Sequence, residues 1–290
     1  MLRKTLTISL LAAATLINAA CTQVGLFAAN VPSHFNGAKS VQNIAYGEAP
    51  LQKLSLHIPP SATENSPAPV LVFFHGGRWS DGHKEQYKFV ADAFISEGYI
   101  VALADYRKYP QVKFPAFIED AASALTWVHN NIADYNGDTK RLYLAGHSSG
   151  AHMAALVATD PQYLAAHNLN RDIITGFAGL SGPYAFKPDE PDLEDMFGPP
   201  ERYPLMRAPN YVDGDQPPML LLHGLDDETV VLKNAEKLRD AIAREGGQVT
   251  LKTYEGIDHI ETVGSLMWFW SYKAPVKQDM LEFFRQAQPE

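Results

Sequence analysis

The chain has one cysteine in 290 residues, so no disulfide can form within it and its stability must come from a buried core. It has no hydrophobic run long enough for a comfortable membrane span. The one candidate, TLTISLLAAATLINAA after Met1-Leu2-Arg3-Lys4, falls short of the ~20 strongly apolar residues a span needs and is rich in Ala and Thr. Positive charge is scarce, with 24 Lys and Arg against 33 Asp and Glu and a formal net charge of -9. Such a balance argues against nucleic acid or an anionic surface as partner. Repeats and low-complexity tracts are absent, and the scattered histidines show no ligand spacing such as H-E-x-x-H, so no metal is called for.

The basic start, short apolar core and small residues Ala19-Ala20 read as a secretory signal over residues 1–20. Its removal, with Arg3 and Lys4, takes the formal charge from -9 to -11. Cys21 directly follows and resembles the lipobox cysteine of bacterial lipoproteins. That resemblance implies acylation at Cys21 and a lipid anchor to a bacterial membrane. Asn18 stands where the motif prefers Leu, Val or Ile, so ordinary signal-peptidase cleavage here or near Phe27-Ala28-Ala29 stays open, giving a periplasmic or secreted protein. Residues 21–44 are expected to be a tether, and 45–290 a single domain.

Apolar residues make up 46% of the chain, enough for a large core. KLSLHI (53–58) alternates like a half-buried strand, whereas VLVFFH (70–75), YIVALAD (99–105) and RLYLAG (141–146) are continuous apolar runs, as strands covered on both faces are. GFAGLSG (176–182), PMLLLHG (218–224) and QVTLKTYEG (248–256) extend the series. Helical spacing falls between them at 86–98, 117–132, 149–158, 232–247 and 275–286. Strand and helix take turns, so an α/β fold is expected, with a mainly parallel sheet and helices on both faces. SATENSPAP (61–69) reads as a surface loop. Residues 183–216, rich in Pro, Asp and aromatics, break the alternation and are expected to cap the carboxyl edge of the sheet, where open α/β sheets place ligands.

GHSSG (146–150) falls between a strand and a helix. By composition a G-x-S-x-G match arises by chance with probability on the order of 0.1, so its surroundings decide. The strand-to-helix turn resembles the nucleophile elbow of α/β hydrolases, with Ser148 as nucleophile and the Ser149 N–H, at a helix start, as an oxyanion donor. A serine hydroxyl needs a base, and the base an orienting acid. Asp226, Asp227 and Glu228 follow a strand, and the hydrolase pattern H-G-x-x-D-x-x-V places the acid at Asp227. His259 follows the last strand, where such enzymes keep their base. His147 belongs to the elbow, and His152 lies on the buried helix as a core residue. The loop His75-Gly76-Gly77-Arg78-Trp79 offers the second oxyanion donor, Gly77 or Gly76.

HGGRW, ADYRKYPQVKFPAFIEDAASALTWVHNNI and GDTKRLYLAGHSSGAHMAALVA together resemble the esterase group of kynurenine formamidases, prenylcysteine methylesterases and feruloyl-esterase-like bacterial hydrolases, over most of residues 45–287. The resemblance implies a cofactor-free serine hydrolase that cleaves small-molecule carboxylic esters. The alternatives are an arylformamidase acting on amides and a non-catalytic binding lipoprotein. Formamidase-like members commonly carry an aromatic at the position of Arg78, so a cation there could read an anionic substrate group, or it simply faces solvent or pairs with a cap residue. Trp79, Phe186, Trp268, Phe269 and Trp270 are candidates to line an acyl or aryl pocket, or are ordinary core. Tyr106 and Arg107 are expected to brace the sheet edge.

Overall fold

The computed structural model describes residues 29–30 and 37–288; the expected signal 1–20 and Cys21 lie outside the described residues. The strands are β1 (Lys39–Ala45), β2 (Lys53–Ile58), β3 (Ala68–Phe74), β4 (Ile100–Ala104), β5 (Gly137–His147), β6 (Gly176–Leu180), β7 (Met219–Gly224) and β8 (Val249–Tyr254). They form one sheet in the order β1-β2-β4-β3-β5-β6-β7-β8. Every pairing from β4 to β8 is parallel, and β1 and β2 close one edge in antiparallel fashion.

The continuous apolar runs have the physical cause inferred from sequence. Val70, Val72 and Phe74 of β3 enter one core, while Leu71 and Phe73 enter the core on the other face. Helices α1 (Lys88–Ile95), α2 (Ala116–Asn131), α3 (Ser149–Thr159), α4 (Pro191–Phe197), α5 (Lys233–Arg244), α6 (His259–Gly264) and α7 (Val276–Gln286) complete the fold. Phe117, Leu125, Leu156 and Leu238, from α2, α3 and α5, cover the first face; Val90, Phe94, Met280 and Phe284, from α1 and α7, cover the second. The α/β-hydrolase architecture is thus present, with helices on both faces.

The expected tether needs correction: its last residues form β1, which pairs with β2 through a register shift between Val41 and Ile44. β1 is mostly exposed, so it carries none of the apolar patterning by which the other strands are recognised. Segment 183–216 contains α4 and short helical turns at Pro200–Met206 and Ala208–Tyr211. It lies over the carboxyl ends of the strands, fastened by the hydrogen bond from Phe114 N–H to the Met196 carbonyl (3.0 Å) and by that from Ala185 N–H to Asn234 Oδ1 (3.0 Å).

Candidate active site

β5 and α3 are separated by Ser148 alone, so the chain must reverse within one residue. Ser148 accordingly sits at φ 53°, ψ -123°, a conformation costly for a residue with a Cβ, and is held there by its N–H bond to the Leu180 carbonyl at 2.9 Å. The turn also requires α3 to start hard against β3. A Cβ on Gly150 would lie 2.1 Å from the Phe74 carbonyl oxygen, so only glycine fits there.

β7 and β8 end at the same carboxyl edge of the sheet as β5, with β6 between, and their loops deliver the other two groups. His259 Nε2 is 2.9 Å from Ser148 Oγ, and its Nδ1 is 2.9 Å from Asp227 Oδ2. The other carboxylate oxygen of Asp227 accepts the N–H groups of Thr229 (3.0 Å) and Val230 (2.8 Å). Burial pushes the Asp227 carboxyl up, but the bonds from His259 and Val230 outweigh it and keep the carboxyl below its ordinary value. Asp226 and Glu228 are exposed, and Asp258 is spent as the N-cap of α6. Of the three acids in the loop, Asp227 is the one brought to His259.

The glycine loop expected to supply an oxyanion donor follows β3. Gly77 has φ +132°, and a Cβ there would lie 2.1 Å from the Asp81 carbonyl oxygen, so glycine is required. Neither Gly77 nor Ser149 donates its N–H to another described residue. Gly76 does: its N–H donates to the Tyr87 hydroxyl at 3.3 Å. Gly76 was expected to share the donor role, and this bond removes it from the pair.

Three residues to which the sequence assigned no catalytic role, His147, Tyr87 and His223, tie the site together. His147 Nε2 lies 3.0 Å from the His259 carbonyl oxygen and its Nδ1 lies 3.1 Å from Tyr87 Oη. A carbonyl only accepts, so Nε2 carries the proton, and Nδ1 accepts from Tyr87. Burial and the neighbouring His259 depress the His147 pKa to about 3, so the ring is neutral. His223, buried behind Asp227, donates Nε2–H to the Val230 carbonyl at 2.7 Å and so steadies the acid loop. No sequence signal links Tyr87 to His147, which lie 60 residues apart.

His152 is the expected core residue. It donates Nε2–H to the Met206 carbonyl at 2.7 Å, and burial lowers its pKa to about 4. Trp79 is buried too, stacked on Phe186 at 5.4 Å between centroids and edge-on to Phe197 at 4.9 Å. It roots the cap in the core while lining a cavity of about 700 Å³ that opens on Ser148. Arg78 also lines this cavity, but its guanidinium is bound to Glu190 (2.8 Å) and Asp192 (3.0 Å) of the cap. Phe186 is a lining residue as expected, whereas Trp268, exposed, borders a separate cavity with Ala29 and Phe89. Phe269 and Trp270 are partly buried and pack against the core of the face opposite the cap. These three aromatics lie away from Ser148. Tyr106 donates to the His75 carbonyl at 3.1 Å and Arg107 clasps Asp120, as bracing residues do. Among the described residues no three His, Cys, Asp or Glu side chains are grouped to hold a metal ion.

A parallel sheet carrying a serine at a strained strand-to-helix turn, a histidine after the last strand and a carboxylate after the strand before it defines an α/β hydrolase. The chain belongs to the prolyl oligopeptidase family, whose model matches residues 116–288; the BD-FAE family model matches residues 54–175. An Arabidopsis thaliana protein described as a probable isoprenylcysteine alpha-carbonyl methylesterase is 29% identical over 76% of this chain and 51% of its own length. A Mycobacterium tuberculosis protein named esterase LipQ is 28% identical over 77% of this chain and 57% of its own. The chain thus spans between half and three fifths of these curated relatives. Among solved structures, a truncated carbohydrate esterase from gut microbiota superposes with a TM-score of 0.75 at 20% identity, covering 87% of this chain and 97% of that one. Esterase B from Lactobacillus rhamnosis gives 0.75 at 21% identity, covering 99% and 97%.

Proposed function

We propose that this chain is a serine carboxylic ester hydrolase acting on small-molecule esters. The observation that carries the proposal is the relay in which Asp227 Oδ2, His259 and Ser148 Oγ are joined by two bonds of 2.9 Å. Ser148 Oγ attacks the ester carbonyl carbon as its proton passes to His259 Nε2, and the carbonyl electron pair moves onto oxygen. The N–H groups of Gly77 and Ser149 receive that charge, and Asp227 stabilises the imidazolium. Collapse breaks the bond to the alcohol, which leaves with the proton from Nε2. Water then repeats the sequence on the acyl-enzyme, releasing the acid and restoring Ser148. The relatives named esterases favour esters over formamides.

The test is burst kinetics with p-nitrophenyl acetate and butyrate. A burst present in the wild type and absent in Ser148→Ala supports the acyl-enzyme; equal rates in the two proteins overturn it. Export with acylation of Cys21 belongs to the same proposal and rests on the sequence of residues 1–21. Palmitate label should enter the wild type and not Cys21→Ser, and label absent from both would refute the anchor.

A further inference from the structure

The Ser148 cavity is more basic than the chain around it. Of 33 acids and 24 bases in the protein, the cavity wall takes Arg78, Lys187, Arg207, Lys233 and Lys237 against Asp189 and Glu190. Two of the five cations are neutralised locally: Arg78 by Glu190 and Asp192, and Lys233 by Glu236 at 3.2 Å. Lys187, Arg207 and Lys237 have no acidic partner among the described residues, and Arg207 uses its Nε only for the Phe186 carbonyl. Asp189 is the one carboxylate of the wall outside these pairs. The basic wall continues beyond the cavity. A second hollow of about 320 Å³ shares Ala185, Arg207 and Lys237 with the first and adds Arg244. Lys233, Lys237, Ala241 and Arg244 follow one another at helical spacing on α5, so a single helix face lines both.

An acidic protein gains nothing in stability from like charges gathered on one wall. A concave wall with unpaired guanidinium and ammonium groups does, however, concentrate and orient an anion. Resting on the ester-hydrolase proposal above, we infer that the substrate carries an anionic group, a carboxylate or a phosphate, beyond the scissile bond, and that Lys187, Arg207 and Lys237 bind it. Arg78, the cation within the glycine loop itself, is not that reader, because the cap acids already occupy it.

The experiment compares kcat/KM for charged and neutral esters in the wild type and in the triple variant Lys187→Gln, Arg207→Gln, Lys237→Gln. Mono-p-nitrophenyl succinate against p-nitrophenyl butyrate places the charge on the acyl side, and 4-acetoxybenzoate against phenyl acetate places it on the alcohol side. The wild type should prefer the anionic member of at least one pair by about tenfold, and the preference should fall below about twofold in the triple variant and in about 0.5 M salt. No preference in the wild type, or one that survives the substitutions, overturns the anion site. If neither pair is turned over above the Ser148→Ala background, the ester-hydrolase proposal fails instead. The anion site is then decided by calorimetric titration of Ser148→Ala with 4-acetoxybenzoate and phenyl acetate. Tighter binding of the anion that is lost on adding the three substitutions supports it, and equal binding refutes it.

Discussion

The neutral ring of His147 donates from Nε2 to the backbone carbonyl of His259 at 3.0 Å, while Tyr87 Oη bridges its Nδ1 to the N–H of Gly76. One chain of hydrogen bonds therefore runs from the oxyanion loop to the backbone of the proposed base. Tyr87→Phe breaks it in the middle and leaves a buried N–H and a ring nitrogen without partners. A displaced catalytic group costs far more in turnover than in binding. Steady-state kinetics of Tyr87→Phe on p-nitrophenyl butyrate should show kcat lower by about tenfold or more with KM little changed; an unchanged kcat would mean the chain is only packing.

Asp227 and Asp226 are adjacent, yet only the first reaches His259. Asp227→Asn should lower kcat by on the order of 10³- to 10⁴-fold, as loss of the orienting charge does in other triads. Asp226→Asn, at an exposed position, should stay within about twofold. Comparable losses in both would displace Asp227 from the role.

Gly77→Ala places a methyl group 2.1 Å from the Asp81 carbonyl oxygen on a backbone of φ +132°. The loop must shift, and the N–H proposed to receive the oxyanion shifts with it. Loss of one oxyanion donor typically costs 10²- to 10³-fold in kcat, and a circular-dichroism melt of the same variant separates that loss from unfolding. Gly77→Ala with wild-type kcat would assign the donor elsewhere.

Arg78 bridges exposed partners, and such pairs contribute roughly 0–1 kcal/mol. Arg78→Ala should therefore lower the melting temperature by only a few degrees. It should also change kcat/KM for anionic and neutral esters by equal factors, because the guanidinium is already occupied. A selective loss on anionic esters would return Arg78 to substrate recognition.

Burial depresses His57 and His152 to about 4 and His147 to about 3, whereas an unfolded chain titrates histidine near 6.5. Between these values the unfolded state binds more protons, so stability is full above about pH 6.5 and declines as pH falls toward 4. The contribution of His152 alone is on the order of 3 kcal/mol. Melting temperature should fall across this window. His152→Gln, which retains a donor for the Met206 carbonyl but no titration, should melt lower at pH 7 yet with a shallower pH slope. A parallel slope would show that His152 does not drive the acid loss.

The residue pattern dictates the parallel sheet, because runs such as VLVFF must be covered on both faces. It also determined the serine turn, because GHSSG separates a strand from a helix with no residue to spare. The resemblance to the hydrolase pattern nominated Asp227 and His259 in the loops after β7 and β8, and loops at the ends of parallel strands converge on one edge. β1 was hidden because an exposed edge strand has no apolar signature. Which N–H groups of the glycine loop are free is settled by packing, since the partner of Gly76 is a hydroxyl eleven residues away. The same holds for charge: Arg78 is neutralised by acids more than a hundred residues distant, while Lys187, Arg207 and Lys237 remain without acidic partners. A side chain's chemistry is written in its type, but whether that chemistry is already spent depends on which distant segment packs against it.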